Sequence, residues 1–569
     1  MSRLAIWMII FVVSASLVSP FLEADENLDY VSFLDYLDAD RVWSIVDDLA
    51  GDRFEGRRAG TRTADLASEY ITNYFDSIGL KPAGEDATYR TRFTVPLWQL
   101  AQMPRLALVD KSGNTLEAFE YRKDFYVQPG SGTGNYSADV VFAGYGITAN
   151  SLGYDDYANI SSRGKIVLAI IGVPPSLAGD YGTWYSKAES AISHGAVGLI
   201  LADSPAEPTP HYIERLSGGW TIYRNLVILR ASIEMADTLL KDTGLTLSSI
   251  QRAIDQELKP HSLPLNKLLH VSVDVSFSED ANAYNVLGFI PGSDPAASKK
   301  GVIIGAHYDH WGKDVDGSVF RGANDDASGV AVMMEIARVF SAVVKPRWSI
   351  LFAAWSGEEE GLWGSYAYVN DPFFPLEGTV AYLNLDMVGH GQQLQCQVSE
   401  SHRELRSVVN ESAEQLQIPL DLQGFSGSSD QVPFEEKKVQ NLMFIYWPDE
   451  VYHTPADTAD HVSRRNLLET ARLTALTTLK LSEAAVMKMT TTSSQPVTEV
   501  FSVEVLVIVG VAFIVAAAAG AFYLVESRPA KQRRLNRKVY AISRNSDTNY
   551  CALQYAKKNM NSWRLTLLT

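Results

Sequence analysis

The chain has 569 residues, 46% hydrophobic and 20% charged, too long for one core and too apolar for wholesale disorder. Its net charge of −18 argues against nucleic acid as a main partner. Cys396 and Cys551 are the only cysteines, so no disulfide framework exists and stability must come from the cores.

In chain order, residues 1–24 read as a signal peptide. Arg3 precedes the apolar stretch from Leu4 to Val18, which is short for a membrane span; an uncleaved anchor is the other reading. Residues 28–125 open with helical patterns. In the clearest, Ala64, Ala67, Ile71, Tyr74 and Ile78 recur at three-and-four spacing before Gly79. From about 126 to 272 the texture is strand-rich, with strands expected around Ala138–Ala143, Gly164–Ile171 and Val197–Leu201 and a helix over Lys187–His194. This block is long enough to fold alone. A second α/β block runs from 275 to 487, and a polar linker, 488–504, follows it.

Val505–Val525 is 21 residues without a charge, about 32 Å as a helix and enough to cross a bilayer. The tail, 526–569, has ten Lys/Arg against two Asp/Glu, a net +8 that leaves −26 for the rest. Positive charge flanking a span marks its cytoplasmic side. Residues 505–525 are therefore expected to be a transmembrane helix and 526–569 a basic cytoplasmic tail. A buried core helix is the alternative for the apolar run.

The chemistry lies in the second block. His307-Tyr-Asp309 follows Val302-Ile-Ile-Gly-Ala, and Glu358-Glu-Glu-Gly-Leu follows Ser349-Ile-Leu-Phe-Ala-Ala-Trp. Asp386 ends Thr379-Val-Ala-Tyr-Leu-Asn-Leu, and Tyr452-His453 comes after Asn441-Leu-Met-Phe-Ile-Tyr-Trp. Short apolar runs separated by helical stretches predict a doubly wound α/β sheet, whose ligands gather beyond the carboxyl ends of its strands. Two His and several carboxylates converging there suit one or two zinc ions. Each motif has a blander reading: Asp325 before a helix as a cap, Glu358–Glu360 as a solvated charge run, His453 as a structural histidine. His310 reads as a bystander, because sequence neighbours seldom share one metal face. The set, not any member, points to a hydrolase.

That set resembles the M28 family of zinc exopeptidases over residues 30–125 and 275–487. The matching motifs are Gly305-Ala-His-Tyr-Asp-His, Gly322-Ala-Asn-Asp-Asp-Ala-Ser-Gly, Gly357-Glu-Glu-Glu-Gly-Leu, Leu385-Asp-Met and Tyr452-His-Thr-Pro, in the family's order. Residues 28–125 and 275–487 would then form one peptidase domain with a mixed, doubly wound sheet. The block 126–272, with Phe142-Ala-Gly-Tyr-Gly and His194-Gly-Ala-Val-Gly, is similar to an inserted protease-associated domain. The resemblance implies two zinc ions per chain, one held by His307, Asp325 and Asp386, the other by Asp325, Glu359 and His453. It makes Glu358 the general base, Asp309 the partner that orients His307, and Tyr452 a support for the oxyanion. Ser429-Asp430-Gln431 departs from the family's Ser-Asp-His, and Gln431 has no metal role assigned.

A membrane-anchored aminopeptidase acting on peptides is the expected function. Carboxypeptidase or glutaminyl cyclase activity on the same fold, or a catalytically dead receptor, are the alternatives. Few cysteines favour a bacterial inner membrane facing the periplasm; a eukaryotic chain would be on the secretory route or cell surface.

Overall fold

The computed structural model describes residues 31–177, 181–206, 222–297, 299–483 and 485–486. The expected signal peptide, membrane helix and basic tail lie outside them. Among the described residues no helix is long and apolar enough to cross a membrane.

Two sheets organise the chain. The first has nine strands, with a central order of Val275–Ile290, Ser349–Trp355, Gly301–His307, Thr379–Leu385 and Asn441–Trp447. The last four of these run parallel, and antiparallel strands flank them. The parallel strands are apolar throughout because both faces are covered. Val302, Ile304 and Ala306 face one core, with Ile350, Phe352 and Ala354 beside them; Ile303, Leu351, Ala353 and Trp355 face the other. Successive strand side chains point to opposite faces, so each core receives every second residue. Helices Ala39–Leu49, Ser328–Val343 and Arg464–Leu481 cover the first face. The second is covered by the short helices Trp363–Asn370 and Val432–Glu436, through Tyr368, Val369 and Phe434. Each aliphatic side chain so buried contributes roughly 1.5–3 kcal/mol relative to exposure.

The second sheet has eight strands, Thr115–Phe119, Arg105–Val109, Leu263–Val273, Gly134–Phe142, Ile166–Ile170, Gly198–Ala202, Val227–Ala231 and Phe125–Val127 in spatial order. The chain leaves the first sheet after the strand Arg90–Leu100 and rejoins it with Val275–Ile290, with which that strand pairs. This moves the expected boundary. Arg105–Val109 and Thr115–Phe119, placed in the first block by sequence, pair into the second sheet, so 125/126 falls inside the insert. The insert runs from about Arg105 to Val273. Arg90–Leu100 was missed because polar residues and Pro96 interrupt its apolar run; most of its positions are half-buried, with only Arg92 and Thr94 exposed and Val95 and Trp98 buried.

Sheet order also sets the site. From Gly301–His307 the chain passes to Ser349–Trp355 on one side, then to Thr379–Leu385 on the other. Helices crossing on opposite faces leave a crevice at such a reversal, beyond the strands' carboxyl ends.

Candidate metal centre

Three adjacent strands deliver donors to this crevice. His307 is the last residue of its strand; Glu358 and Glu359 lie just past Trp355, and Asp386 follows Leu385 directly. Asp325 comes from the turn before helix Ser328–Val343, and His453 from the loop after Asn441–Trp447. His307 Nε2 lies 3.2 Å from Asp325 Oδ1 and 3.6 Å from Asp386 Oδ1. His453 Nε2 lies 3.0 Å from Asp325 Oδ2 and 3.2 Å from Glu359 Oε2. The two oxygens of Asp325 thus face two separate donor groups. All five side chains are buried.

A second layer holds them. Asp457 accepts from the backbone N–H of Asn324 at 2.8 Å and of Asp325 at 3.1 Å, which fixes the Asp325 turn. Asp326 Oδ1 accepts from Gly329 and Met387, at 2.8 and 3.2 Å, and so ties that turn to the loop after Asp386. Gly322, at φ 59°, has no room for a side chain: a Cβ would strike the His310 ring.

Asp309 differs from its expected role. His307 Nδ1 lies 3.2 Å from the Asp309 main-chain carbonyl, while the carboxylate is at 3.8 Å. An Nδ1–H donated to that carbonyl leaves Nε2 with its lone pair towards Asp325 and Asp386. The Asp309 carboxylate instead accepts from the backbone N–H groups of Glu358 and Glu359, at 3.3 and 3.4 Å. It positions the glutamate pair as well as the histidine.

His310 is no bystander. It is fully buried, with Nδ1 2.6 Å from Glu359 Oε1 and 3.8 Å from Asp325 Oδ2. His310, Asp325 and Glu359 form a compact donor group, as do His307, Asp325 and Asp386, with ligand atoms within 4.8 Å of one another in each. Glu360, expected to lie beyond the working pair, is also buried, and its Oε1 accepts from Arg58 Nε at 3.2 Å.

Electrostatics separate the glutamates. Burial disfavours the charge on Glu359, but His453 and His310 bring its carboxyl down to about 2. Burial lifts Glu358 well above the usual range; His307 opposes this, and Glu359 and Asp386 reinforce it. The Glu358 carboxylate makes no hydrogen bond to described residues and is the member of the pair nearer solvent. Tyr452 stacks on His453, ring centroids 3.6 Å apart. Burial and then the charges of Asp325 and Glu359 raise its hydroxyl well above its usual value, so it stays a proton donor. Gln431 Oε1 accepts from Asn384 Nδ2 at 3.3 Å, and its Nε2 donates to the Ser428 carbonyl.

Fold and site together define a metallopeptidase. Residues 285–478 match the model of Peptidase family M28, and this part of the chain is a peptidase domain of that family. The chain is 26% identical to aminopeptidase YwaD of Bacillus subtilis over 431 residues, 72% of this chain and 83% of that protein. It is 24% identical to the probable lipoprotein aminopeptidase LpqL of Mycobacterium tuberculosis, over 61% of this chain and 57% of that one. In fold it is similar to the aminopeptidase from Aneurinibacillus sp. strain AM-1, with TM-score 0.59 and 21% identity over 80% of this chain and 96% of that one. BSAP, a zinc aminopeptidase from Bacillus subtilis, gives TM-score 0.56 and 23% identity over 80% and 97%.

The family implies zinc, and the residues fit it. Imidazole and carboxylate are its usual nitrogen and oxygen ligands. Asp386 Oδ1 and Glu359 Oε1 are buried without a hydrogen-bond donor, each facing a histidine nitrogen and other carboxylates, an arrangement that cationic charge would satisfy.

Proposed function

We propose that the protein is a membrane-anchored aminopeptidase that removes N-terminal residues from peptides, with two zinc ions per chain and Glu358 as general base. The observation that carries the reading is the pairing of two donor groups on one Asp325 with an unencumbered Glu358 carboxylate beside them. His307, Asp325 and Asp386 would hold one ion, and Asp325, Glu359 and His453 the other. Zinc, when bound, polarises the scissile carbonyl and acidifies water. Glu358 takes a proton from the attacking water and returns it to the leaving amine. Tyr452 donates to the oxyanion that develops on the carbonyl. Asp309 holds Glu358 and Glu359 in register through their backbone N–H groups. The family and the aminopeptidases similar in sequence and fold support this reading.

The purified protein should hydrolyse aminoacyl p-nitroanilides and lose that activity to chelator, while N-blocked analogues stay intact. Cleavage of N-blocked peptides from the C-terminus would instead make it a carboxypeptidase, and cyclisation of N-terminal glutamine a cyclase.

Anchoring rests on the uncharged run Val505–Val525 and its basic flank. The catalytic domain is then extracytoplasmic, and the insert, which we read as a protease-associated domain, borders the cleft. In sealed right-side-out vesicles, external protease should digest the catalytic domain and spare a tag after Thr569. Digestion of the tag from outside would refute the topology.

A further inference from the structure

The insert and the catalytic sheet meet around a cavity of about 450 Å³. Cavities of about 300–1,000 Å³ bind small molecules, so a short stretch of peptide fits. The cavity borders the metal centre through Trp311, which lines it and packs edge-on against His453, ring centroids 5.5 Å apart.

Its wall is built of donors. Thr61, Arg62 and Thr63 line it, and they form the start of the 16-residue helix Arg62–Ser77, whose N-terminus has no side-chain cap. Thr61 Oγ1 donates to the Arg58 carbonyl at 2.6 Å instead of capping. First-turn N–H groups and the positive end of the helix dipole attract anions. The Arg58 side chain, 12% exposed, gives Nε to Glu360, and its two terminal amino groups have no acceptor among the described residues. Trp311, 3% exposed, carries an indole N–H without an acceptor among the described residues. The cavity's own carboxylates are already engaged: Asp314 accepts from Tyr121 at 2.6 Å and Arg122 Nε at 3.0 Å, and Glu55 accepts from Lys313 at 2.8 Å.

We propose that this cavity binds a carboxylate of the substrate on the leaving side of the scissile bond, with Arg58 as its principal partner. The proposal rests on the exopeptidase reading above. A cationic α-amino group is repelled by this wall, so the substrate's N-terminus lies elsewhere and the segment after the cut enters the cavity. The carboxylate is the free C-terminus of a short peptide or an acidic side chain in its first residues.

The test compares four substrates sharing one N-terminal leucine: Leu-Gly, Leu-Gly-amide, Leu-Glu-amide and Leu-Gln-amide. Charge-assisted hydrogen bonds predict that a carboxylate-bearing substrate has kcat/KM about tenfold or more above its neutral counterpart. A preference confined to Leu-Gly over its amide identifies the C-terminal carboxylate; one confined to Leu-Glu-amide over Leu-Gln-amide identifies the side chain. In Arg58→Gln that ratio should collapse towards one through KM, with neutral substrates changed less than threefold. Arg58→Lys should restore part of it. Equal cleavage of acid and neutral substrates by the wild type overturns the proposal while the exopeptidase reading stands. An equal loss on all four in Arg58→Gln also overturns it, because Arg58 would then act through Glu360 and its neighbour Glu359. If none of the four is cleaved by a protein that binds zinc, the exopeptidase reading itself fails.

Discussion

Replacing Glu358 with Gln should lower kcat by about 10²–10⁴-fold while zinc stays bound and KM changes little. Glutamine keeps the side chain's size but cannot take a proton, and the native carboxylate makes no hydrogen bond to described residues whose loss would disturb the fold. Glu359→Gln should fail differently. Glu359 lies 3.2 Å from His453 Nε2 and 2.6 Å from His310 Nδ1, so its substitution should reduce zinc occupancy, with part of the activity returning in excess metal. Glu360→Gln keeps an oxygen that can accept from Arg58 Nε, so it should retain zinc and change kcat/KM on neutral substrates less than about threefold. Steady-state kinetics on metal-analysed samples separates the three. Near-wild-type Glu358→Gln, or exchanged phenotypes of Glu358 and Glu359, would show the roles to be misassigned.

Much of this site is legible in sequence because strand ends deliver it. Four apolar runs mark the parallel strands, and His307, Glu358 and Asp386 sit at or just past their carboxyl ends, where the chain must turn. Asp325 is less legible, since an acidic residue before a helix is usually a cap. What escapes is set by contacts between distant segments. Glu360 is buried and meets Arg58, 302 residues away. His310 enters the site because the chain turns after Asp309, so two histidines three apart serve different donor groups. Asp457, which lies outside the motifs read in sequence, holds the Asp325 turn from 132 residues away. The insert boundary was misplaced for the same reason: Arg105–Val109 has no local signal of which sheet it joins, and its partner Leu263–Val273 lies far along the chain.

Asp325→Ala should have the largest effect on metal. One oxygen faces His307 at 3.2 Å and the other faces His453 at 3.0 Å, so this carboxylate touches both donor groups. Its loss should weaken both zinc sites together, whereas His307→Ala and His453→Ala should each weaken chiefly one. Activity in Asp325→Ala should fall to background even where excess zinc partly refills the site, because the two ions would no longer share a ligand. Loss of a single ion in Asp325→Ala, with the other bound as tightly as in wild type, would show that this carboxylate does not bridge.

The most direct test is zinc stoichiometry. Protein stripped with chelator is titrated with zinc while bound metal and aminoacyl p-nitroanilide hydrolysis are followed together. Two ions should bind per chain, with full activity reached only when the second site fills. Saturation of both binding and activity at one ion per chain would contradict the paired centre.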